Sequence, residues 1–196
     1  MKKIVLFASG KGSNVENIIQ YFKSNDEVAI AGVFSNNPSA KVLEKAENNN
    51  IRTVIFNKQE LTEGLVENKI DSIKPDLIVL AGFLLKFPDA IIKKYPNKII
   101  NIHPALLPKY GGKGMYGMNV HHAILENKEQ ETGISIHYVN EHYDEGGIIF
   151  QKTINITDCN SPEAIAEKVH QLEQQHFPQI IEKLLTSNSQ RPTSNF

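Results

Sequence analysis

Short apolar runs alternate with longer amphipathic stretches through the first half of the chain. Five runs have the length and composition of buried strands, at residues 3–8, 28–34, 53–56, 76–81 and 98–102. Four intervening stretches have the apolar spacing of helices, at residues 13–23, 39–49, 61–73 and 90–94. Strands that alternate with helices build βαβ units, so the pattern predicts a largely parallel sheet.

The pattern changes in the second half. Residues 110–117 contain four glycines and are predicted to form a loop, which a helix follows at about residues 119–126. Residues 133–139 alternate apolar and polar positions as a half-solvated strand does, and residues 148–154 are the expected antiparallel partner. A serine and a proline at 161–162 then have the order expected of a helix cap and first turn.

These elements predict one α/β domain over residues 1–186. The expected architecture is a doubly wound, mostly parallel, Rossmann-like sheet with an antiparallel C-terminal extension and a long final helix that ends near Leu185. A chain of 196 residues is long enough to bury a substantial core. Residues 187–196 are polar and without pattern, and we expect them to form a loosely ordered tail.

Composition and charge narrow the function classes. The 22 acidic and 21 basic residues nearly cancel, which argues against a nucleic-acid or membrane-surface partner. Cys159 is the one cysteine, so no internal disulfide forms, and this fits a reducing, cytoplasmic location. No apolar run approaches the ~18 residues that a membrane span needs.

A glycine-rich turn, Ser9-Gly-Lys-Gly-Ser-Asn14, follows the first predicted strand and opens the first predicted helix. Glycines let backbone N–H groups approach an anion and a helix N-terminus adds partial positive charge, so the turn is a candidate phosphate site. Val15 stands where a dinucleotide fingerprint needs a third glycine, and the ending of a P-loop is absent. From spacing alone, an ordinary strand-to-helix turn is an equal alternative.

The segment Asn101-Ile-His-Pro104 ends the fifth predicted strand. Strand alternation puts Asn101 and His103 on the same face, and Pro104 favours an extended backbone at His103. An amide donor beside an imidazole can stabilise a developing oxyanion while the imidazole transfers a proton. The alternative is a strand-end histidine that only hydrogen-bonds a neighbour.

The segment Asp144-Glu-Gly-Gly147 lies between the last two predicted strands. A carboxylate at Asp144 close to His103 would favour the imidazolium and raise the pKa of His103. The alternative is an ordinary turn, since these residue types are common in turns. The adjacent histidines 121–122 and His142 lack the spacing and partners of a metal site, so we expect no metal.

Together these segments resemble the folate-dependent formyltransferases, and within them the branch that formylates glycinamide ribonucleotide in purine synthesis. The Asn-Ile-His-Pro segment with a downstream aspartate is typical of the family, and Gly-x-Gly-Ser-Asn indicates the sugar-phosphate branch. The likeness covers about residues 2–185. The matching segments are residues 10–14, 33–36, 75–76, 80–83, 101–110, 133–137 and 144–151.

The resemblance implies an activity and a set of site residues. The formyl group of 10-formyltetrahydrofolate, a cosubstrate, would pass to the amine of the ribonucleotide, with Asn101, His103 and Asp144 as catalytic residues. The residues implied for ribonucleotide binding are Gly12, Ser13, Asn14, His170 and Glu173. The residues implied for the folate pocket are Leu84, Leu85, Lys86, Phe87, Asn101, Val139, Asn140, Tyr143 and Asp144.

Three features depart from the family pattern. Residues 84–87 lack the arginine that members often carry there, although Lys86 is available in the same segment. The glycine-rich loop at 111–117 is longer than in the common pattern, and Ala105 stands where serine is frequent.

Other functions are alternatives. A formyltetrahydrofolate hydrolase would use water in place of the amine and carries an extra N-terminal domain, and a methionyl-tRNA formyltransferase needs a C-terminal RNA-binding domain. A non-catalytic folate- or nucleotide-binding module would not require His103 close to Asp144, and a metal-dependent hydrolase would require a metal. We expect small-molecule substrates, no nucleic acid or membrane partner, and a monomer or homodimer.

Overall fold

The computed structural model describes residues 1–187, without the side chain of Ser187. The predicted tail at 187–196 lies outside the described residues, apart from the backbone of Ser187. The seven strands of the described chain are β1 (Lys2–Phe7), β2 (Val28–Ser35), β3 (Thr53–Ile55), β4 (Leu77–Leu80), β5 (Ile99–His103), β6 (Glu131–Tyr138) and β7 (Ile148–Asn155). The helices are α1 (Ser13–Phe22), α2 (Lys41–Asn48), α3 (Lys58–Thr62), α4 (Leu65–Ile73), α5 (Asp89–Lys94), α6 (Met118–Glu126) and α7 (Pro162–Ser187).

The strands form one sheet in the order β3-β2-β1-β4-β5-β6-β7. Strands β1 to β5 pair in parallel, and β6 pairs antiparallel with both β5 and β7. The chain reverses its direction of travel across the sheet between β1 and β4, which makes that junction a topological switch point. The predicted mostly parallel sheet with an antiparallel extension and a long last helix is therefore confirmed.

Buried residues on the two faces of the sheet form two separate cores. Leu6 of β1 belongs to the core that includes Val15 of α1 and Phe177 of α7. Its neighbour Phe7 points to the other face and belongs to the core that includes Ile70 of α4. Since successive strand residues face opposite sides, both faces of β1 are buried from Ile4 to Phe7, and this stretch is apolar throughout.

The predicted helix at 61–73 is wrong in its details, because two helices occupy this region. Asn57 caps α3 with a reciprocal capping box: its side chain accepts from Glu60 N–H, and Glu60 accepts from Asn57 N–H. Gly64 then adopts a left-handed backbone with φ 88° and separates α3 from α4. The apolar spacing of the two helices is in phase, so the sequence pattern alone reads as one helix.

Ser13 and Asn14 are residue types that can cap a helix, but neither side chain caps α1. Gly12 is the N-cap residue, with φ 69°, and no side chain caps the helix. A Cβ atom at Gly12 would overlap Val42 of α2, so both the backbone angle and the space require glycine. The start of α1 therefore presents backbone N–H groups with no side chain of its own in front of them.

The last helix begins as predicted. Ser161 accepts a hydrogen bond from Ala164 N–H at 3.2 Å, and Pro162 occupies the first helical position. The helix continues through Pro178 to Ser187. Within residues 1–187, no helix is long and apolar enough to cross a membrane.

We predict that Gly133→Ala destabilises the fold. Gly133 lies in β6, where an added Cβ would overlap the carbonyl oxygen of Lys152 on β7. Forced repacking of this kind costs about 3 kcal/mol, which urea unfolding followed by circular dichroism would measure. Gly147→Ala is the matched control, since a Cβ at Gly147 meets nothing within 4 Å. Equal unfolding free energies for the two variants would contradict the strand packing described.

Candidate functional site

A cavity of about 520 Å³ opens at the carboxyl ends of β1, β4 and β5. This volume lies within the range of small-molecule sites, and the location is the one expected for ligands of doubly wound sheets. Its walls include the glycine-rich turn after β1, the segment after β4, the end of β5, the loop before α6 and the loop between β6 and β7.

The cavity brings together most of the predicted site residues. The predicted residues that line it are Gly12, Ser13, Asn14, Leu84, Leu85, Lys86, Phe87, Asn101, His103, Val139, Asn140, Tyr143, Asp144 and Glu173. His170 does not line it, although His170 Nδ1 lies 3.2 Å from Glu173 Oε2. The roles of these residues remain predictions, but their shared location satisfies a condition that those roles require.

Asp144 lies between Asn101 and His103. Asp144 Oδ2 is 3.6 Å from His103 Nδ1, and Asp144 Oδ1 is 3.5 Å from Asn101 Nδ2. The side chains of His103 and Asp144 are only 4% and 13% exposed, so their interaction is weakly screened by solvent. Three polar groups from β5 and the loop after β6 thus converge on one buried point.

The geometry fixes the proton on one nitrogen of His103. Nε2 lies 2.7 Å from the carbonyl oxygen of Tyr110, which can only accept a hydrogen bond. Nε2 therefore carries the proton, and in the neutral ring Nδ1 presents a lone pair toward Asp144. The pair of His103 Nδ1 and Asp144 Oδ2 is consequently placed to take up one proton between them.

Asp144 acts to raise the pKa of His103 as expected, but the net shift of this pKa is downward. Burial disfavours the imidazolium and lowers the pKa of His103 below its ordinary value, and this outweighs the opposing effects of Asp144 and the Tyr110 carbonyl. The neighbouring carboxylate does act in the expected direction, but desolvation of the ring is the larger effect.

Asp144 keeps its charge in this environment. Burial alone would raise its pKa, but His137, His103 and the N–H of Gly112 together hold the pKa below the ordinary value. Gly112 N–H donates to Oδ2 at 3.0 Å. Asp144 also adopts a left-handed backbone, with φ 56°, a conformation that aspartate tolerates better than most residues.

His137 is a site residue that the sequence reasoning did not select. It pairs directly with Asn101 across the antiparallel β5–β6 ladder, so both side chains project from the same sheet face. His137 Nδ1 lies 2.8 Å from the carbonyl of Tyr138 and therefore carries the proton. Nε2 then accepts from Asn101 Nδ2 at 3.1 Å, which orients the Asn101 amide. The two-residue alternation of residues 133–139, which places His137 on one face of its strand, is the sequence feature that could have identified it.

The opposite end of the cavity has its own polar network. Asn14 Nδ2 donates to Glu173 Oε2 at 2.9 Å, and Gln174 Nε2 donates to Asn14 Oδ1 at 2.8 Å. Both ends of the Asn14 amide are thus held by α7. The network fixes the first turn of α1 against α7 beside the glycine-rich turn.

His121 also faces the cavity and is 6% exposed. Its Nδ1 is buried without a hydrogen-bond partner among the described residues. Burial lowers the pKa of His121, so the ring is held neutral. Within residues 1–187, no group of three or more His, Cys, Asp or Glu side chains is arranged to hold a metal ion.

The sheet order, the switch-point cavity and the three polar groups that β5 and the loop after β6 bring together in it define a Rossmann-like α/β protein with a cavity of small-molecule size. The sequence model of the formyl transferase family matches residues 2–181. The chain therefore belongs to the formyl transferase family.

Within this family, the chain is similar in sequence to proteins named phosphoribosylglycinamide formyltransferase. A phosphoribosylglycinamide formyltransferase of Bacillus subtilis is 36% identical over 196 residues, which is 96% of this chain and 97% of the relative. The Escherichia coli protein of that name is 34% identical and is aligned over 91% of this chain and 84% of its own length. The chloroplastic protein of Arabidopsis thaliana is 34% identical over 92% of this chain, which spans 64% of that longer relative.

The fold is also similar to that of solved protein structures. The glycinamide ribonucleotide transformylase 1 of Geobacillus kaustophilus superposes with a TM-score of 0.86 at 31% identity, over 94% of this chain and 99% of the other. The phosphoribosylglycinamide formyltransferase of Coxiella burnetii superposes with a TM-score of 0.82 at 36% identity, over 91% of this chain and 84% of the other.

We predict that His103 titrates below pH 6.5, because burial lowers its pKa. The C2 proton resonance of His103, followed by NMR from pH 8 to pH 5 and assigned by its loss in His103→Gln, measures the midpoint. Since the unfolded chain then binds the proton more tightly, this group's contribution to stability is present above about pH 6.5 and is lost as the pH falls through the lowered pKa. A midpoint above pH 7 would instead support a resting imidazolium.

Proposed function

We propose that the chain transfers the formyl group of 10-formyltetrahydrofolate to the amine of glycinamide ribonucleotide, in purine biosynthesis. The observation that carries the proposal is the meeting of Asn101, His103 and Asp144 in the same cavity as the glycine-rich turn. One end of this cavity offers an anion site and the other offers proton transfer and a hydrogen-bond donor. A formyl transfer to the amine of a sugar phosphate needs both.

The ribonucleotide would bind at the end formed by α1 and α7. The backbone N–H groups at the start of α1, from Gly12 to Asn14, suit a phosphate, and Lys11 lines the same part of the cavity. Glu173 lies beside this turn through its contact with Asn14, where a carboxylate can accept hydrogen bonds from ribose hydroxyls. His170 would contribute by holding Glu173, since its ring contacts that carboxylate and does not line the cavity.

The folate would bind between the segment after β4 and the loop after β6. Leu84, Leu85 and Phe87 offer apolar contacts on one side, and Val139 with Tyr143 on the other. Lys86 also lines the cavity, but its ammonium group pairs with Asp89 at 3.0 Å. The donor's pterin ring would thus meet mainly apolar side chains and backbone, as flat heterocycles do in most binding sites.

Proton transfer would centre on His103 and Asp144. As the neutral amine attacks the formyl carbon, the nitrogen loses a proton, and neutral His103 accepts it at Nδ1, directly or through a water. The imidazolium that forms lies beside Asp144, which stabilises it. His103 then returns the proton to N10 of the folate as the bond from N10 to the formyl carbon breaks, so no proton is gained or lost overall.

Asn101 would stabilise the negative charge that develops on the formyl oxygen. One hydrogen of its Nδ2 is directed to His137, which fixes the amide plane and leaves the other hydrogen toward Asp144 and the cavity. A donor fixed before the reaction pays no reorganisation when the charge appears. In this scheme the charge on His103 arises during the reaction, which agrees with the low pKa of the resting ring.

The decisive assay combines the purified protein with 10-formyltetrahydrofolate in the presence and absence of glycinamide ribonucleotide. We expect formation of formylated ribonucleotide and no folate turnover without the acceptor. Folate turnover that is independent of the acceptor would indicate a hydrolase. Binding of both ligands without turnover would indicate a non-catalytic module.

We predict that Asn101→Ala lowers kcat by about a hundredfold, because an oxyanion donor is lost, and leaves the KM for the ribonucleotide nearly unchanged. Steady-state kinetics with each substrate varied in turn measures both effects. Asn68→Ala, on the exposed face of α4, is the control and should behave as wild type. A kcat within threefold of wild type in Asn101→Ala would remove the amide from the mechanism.

A further inference from the structure

The segment at residues 82–86, which forms part of the proposed folate wall, has no helix or strand of its own. Its position therefore depends on its contacts with other parts of the chain. On the core side of the segment, Phe83 packs edge-on against Phe7 of β1, with ring centroids 5.4 Å apart. Phe87, the next residue of the wall, meets Phe7 in the same way at 5.1 Å. These ring contacts hold the segment against the core. Leu84, which lies between the two phenylalanines in the chain, is 51% exposed and lines the cavity.

Ser9 makes both backbone hydrogen bonds that connect residues 82–86 to the rest of the described chain. Ser9 N–H donates to the carbonyl of Gly82 at 3.0 Å. Leu84 N–H donates to Ser9 Oγ at 3.0 Å. The two hydrogen bonds hold the segment at Gly82 and at Leu84, on either side of Phe83, and fix its position relative to the end of β1.

The hydroxyl of Ser9 is itself held in one orientation. It donates to Asn36 Oδ1 at 2.6 Å, so its lone pairs are left to accept from Leu84. Its carbonyl accepts from Asn37 Nδ2 at 3.4 Å, and the residue is 7% exposed. The backbone and side-chain polar groups of Ser9 are therefore all committed to residues 36–37 and 82–84, and none faces the phosphate end of the cavity.

We propose that Ser9 is a positioning residue for the folate wall, although it begins the glycine-rich turn assigned to the ribonucleotide phosphate. The proposed anion-binding N–H groups of that turn begin at Gly12, and within residues 1–187 the hydrogen bonds of Ser9 go neither to them nor to Asn101, His103 or Asp144. The inference rests on the proposed function, because it requires residues 84–87 to contact the folate. It adds a specificity-determining role that the phosphate turn alone would not suggest.

The test is Ser9→Ala, which leaves Leu84 N–H and Asn36 Oδ1 without the hydroxyl. We expect the KM for 10-formyltetrahydrofolate to rise about tenfold, since an unpaired buried donor is costly, while the KM for glycinamide ribonucleotide stays within twofold. The kcat at saturating folate should remain within threefold, because Ser9 does not contact the reacting groups. Calorimetric titration with tetrahydrofolate gives the same loss of affinity without a catalytic readout.

Ser35→Ala is the matched control. Ser35 is fully buried, and within the described part of the chain its hydroxyl bonds only with the backbone of Asn37. Its loss should lower stability by a similar amount without changing either KM. Asn36→Ala is the second test variant, since it removes the acceptor that orients the Ser9 hydroxyl but keeps the hydroxyl itself. We expect a smaller rise in the folate KM, of about threefold.

The outcomes separate cleanly. An unchanged folate KM and affinity in Ser9→Ala, or a rise confined to the ribonucleotide, would overturn the inference while wild-type transfer still supported the proposed function. Absence of transfer by the wild-type protein would instead remove the proposed function. If Ser9→Ala fails to fold, Asn36→Ala carries the test, and equal KM values for Asn36→Ala and wild type would overturn the inference.

Discussion

The buried carboxylate of Asp144 is the constraint on which the site depends. A charge so far from solvent is tolerated only where hydrogen bonds and favourable charges surround it. Here Gly112 donates a backbone N–H and Asn101 an amide N–H, and the rings of His103 and His137 lie 3.6 Å from the carboxylate, so the surroundings of one side chain connect β5, β6 and two loops. The positive φ of Asp144 places the carboxylate where all four groups meet. The same bonds keep it ionised, and an ionised carboxylate is what an imidazolium formed during catalysis requires.

Most of the fold could be predicted from the sequence, because strands, helices and turns are set largely by residues that are close together in the chain. Apolar runs and glycine positions reveal strands and turns, and two-residue alternation placed Asn101 and His103 on one face. What it missed depends on partners distant in the chain. His137 becomes part of the site only through the register that sets it opposite Asn101, and a register cannot be read from one strand. The net pKa shift of His103 could not be predicted for the same reason: the effect of the neighbouring charge is foreseeable from the sequence, whereas the burial that outweighs it is a property of the assembled core.

The two ends of the cavity also differ in their electrostatics. The glycine-rich turn presents backbone N–H groups, which remain donors at every pH, and such groups suit a phosphate that is always charged. The opposite end contains two titratable groups, His103 and Asp144, and the protonation of this pair would change in the proposed transfer. His121, neutral and buried, adds no fixed charge between the two ends. A fixed-charge end for holding and a titrating end for chemistry can therefore be adjusted separately, which is the physical basis for expecting kcat and KM to respond to different substitutions.

The glycine-rich loop before α6 contacts His103 and Asp144 through its backbone. The carbonyl of Tyr110 fixes the proton of His103, and the N–H of Gly112 holds Asp144, while Gly111 between them lies so close to Asp144 and Leu107 that a side chain would not fit without movement. Backbone contacts persist when loop side chains change, provided that the chain follows the same path. Residues 113–117 follow the last of these backbone contacts along the chain, so a change in their number leaves the bonds to His103 and Asp144 in place. A difference in loop length after Gly112 is therefore compatible with an intact group of Asn101, His103 and Asp144.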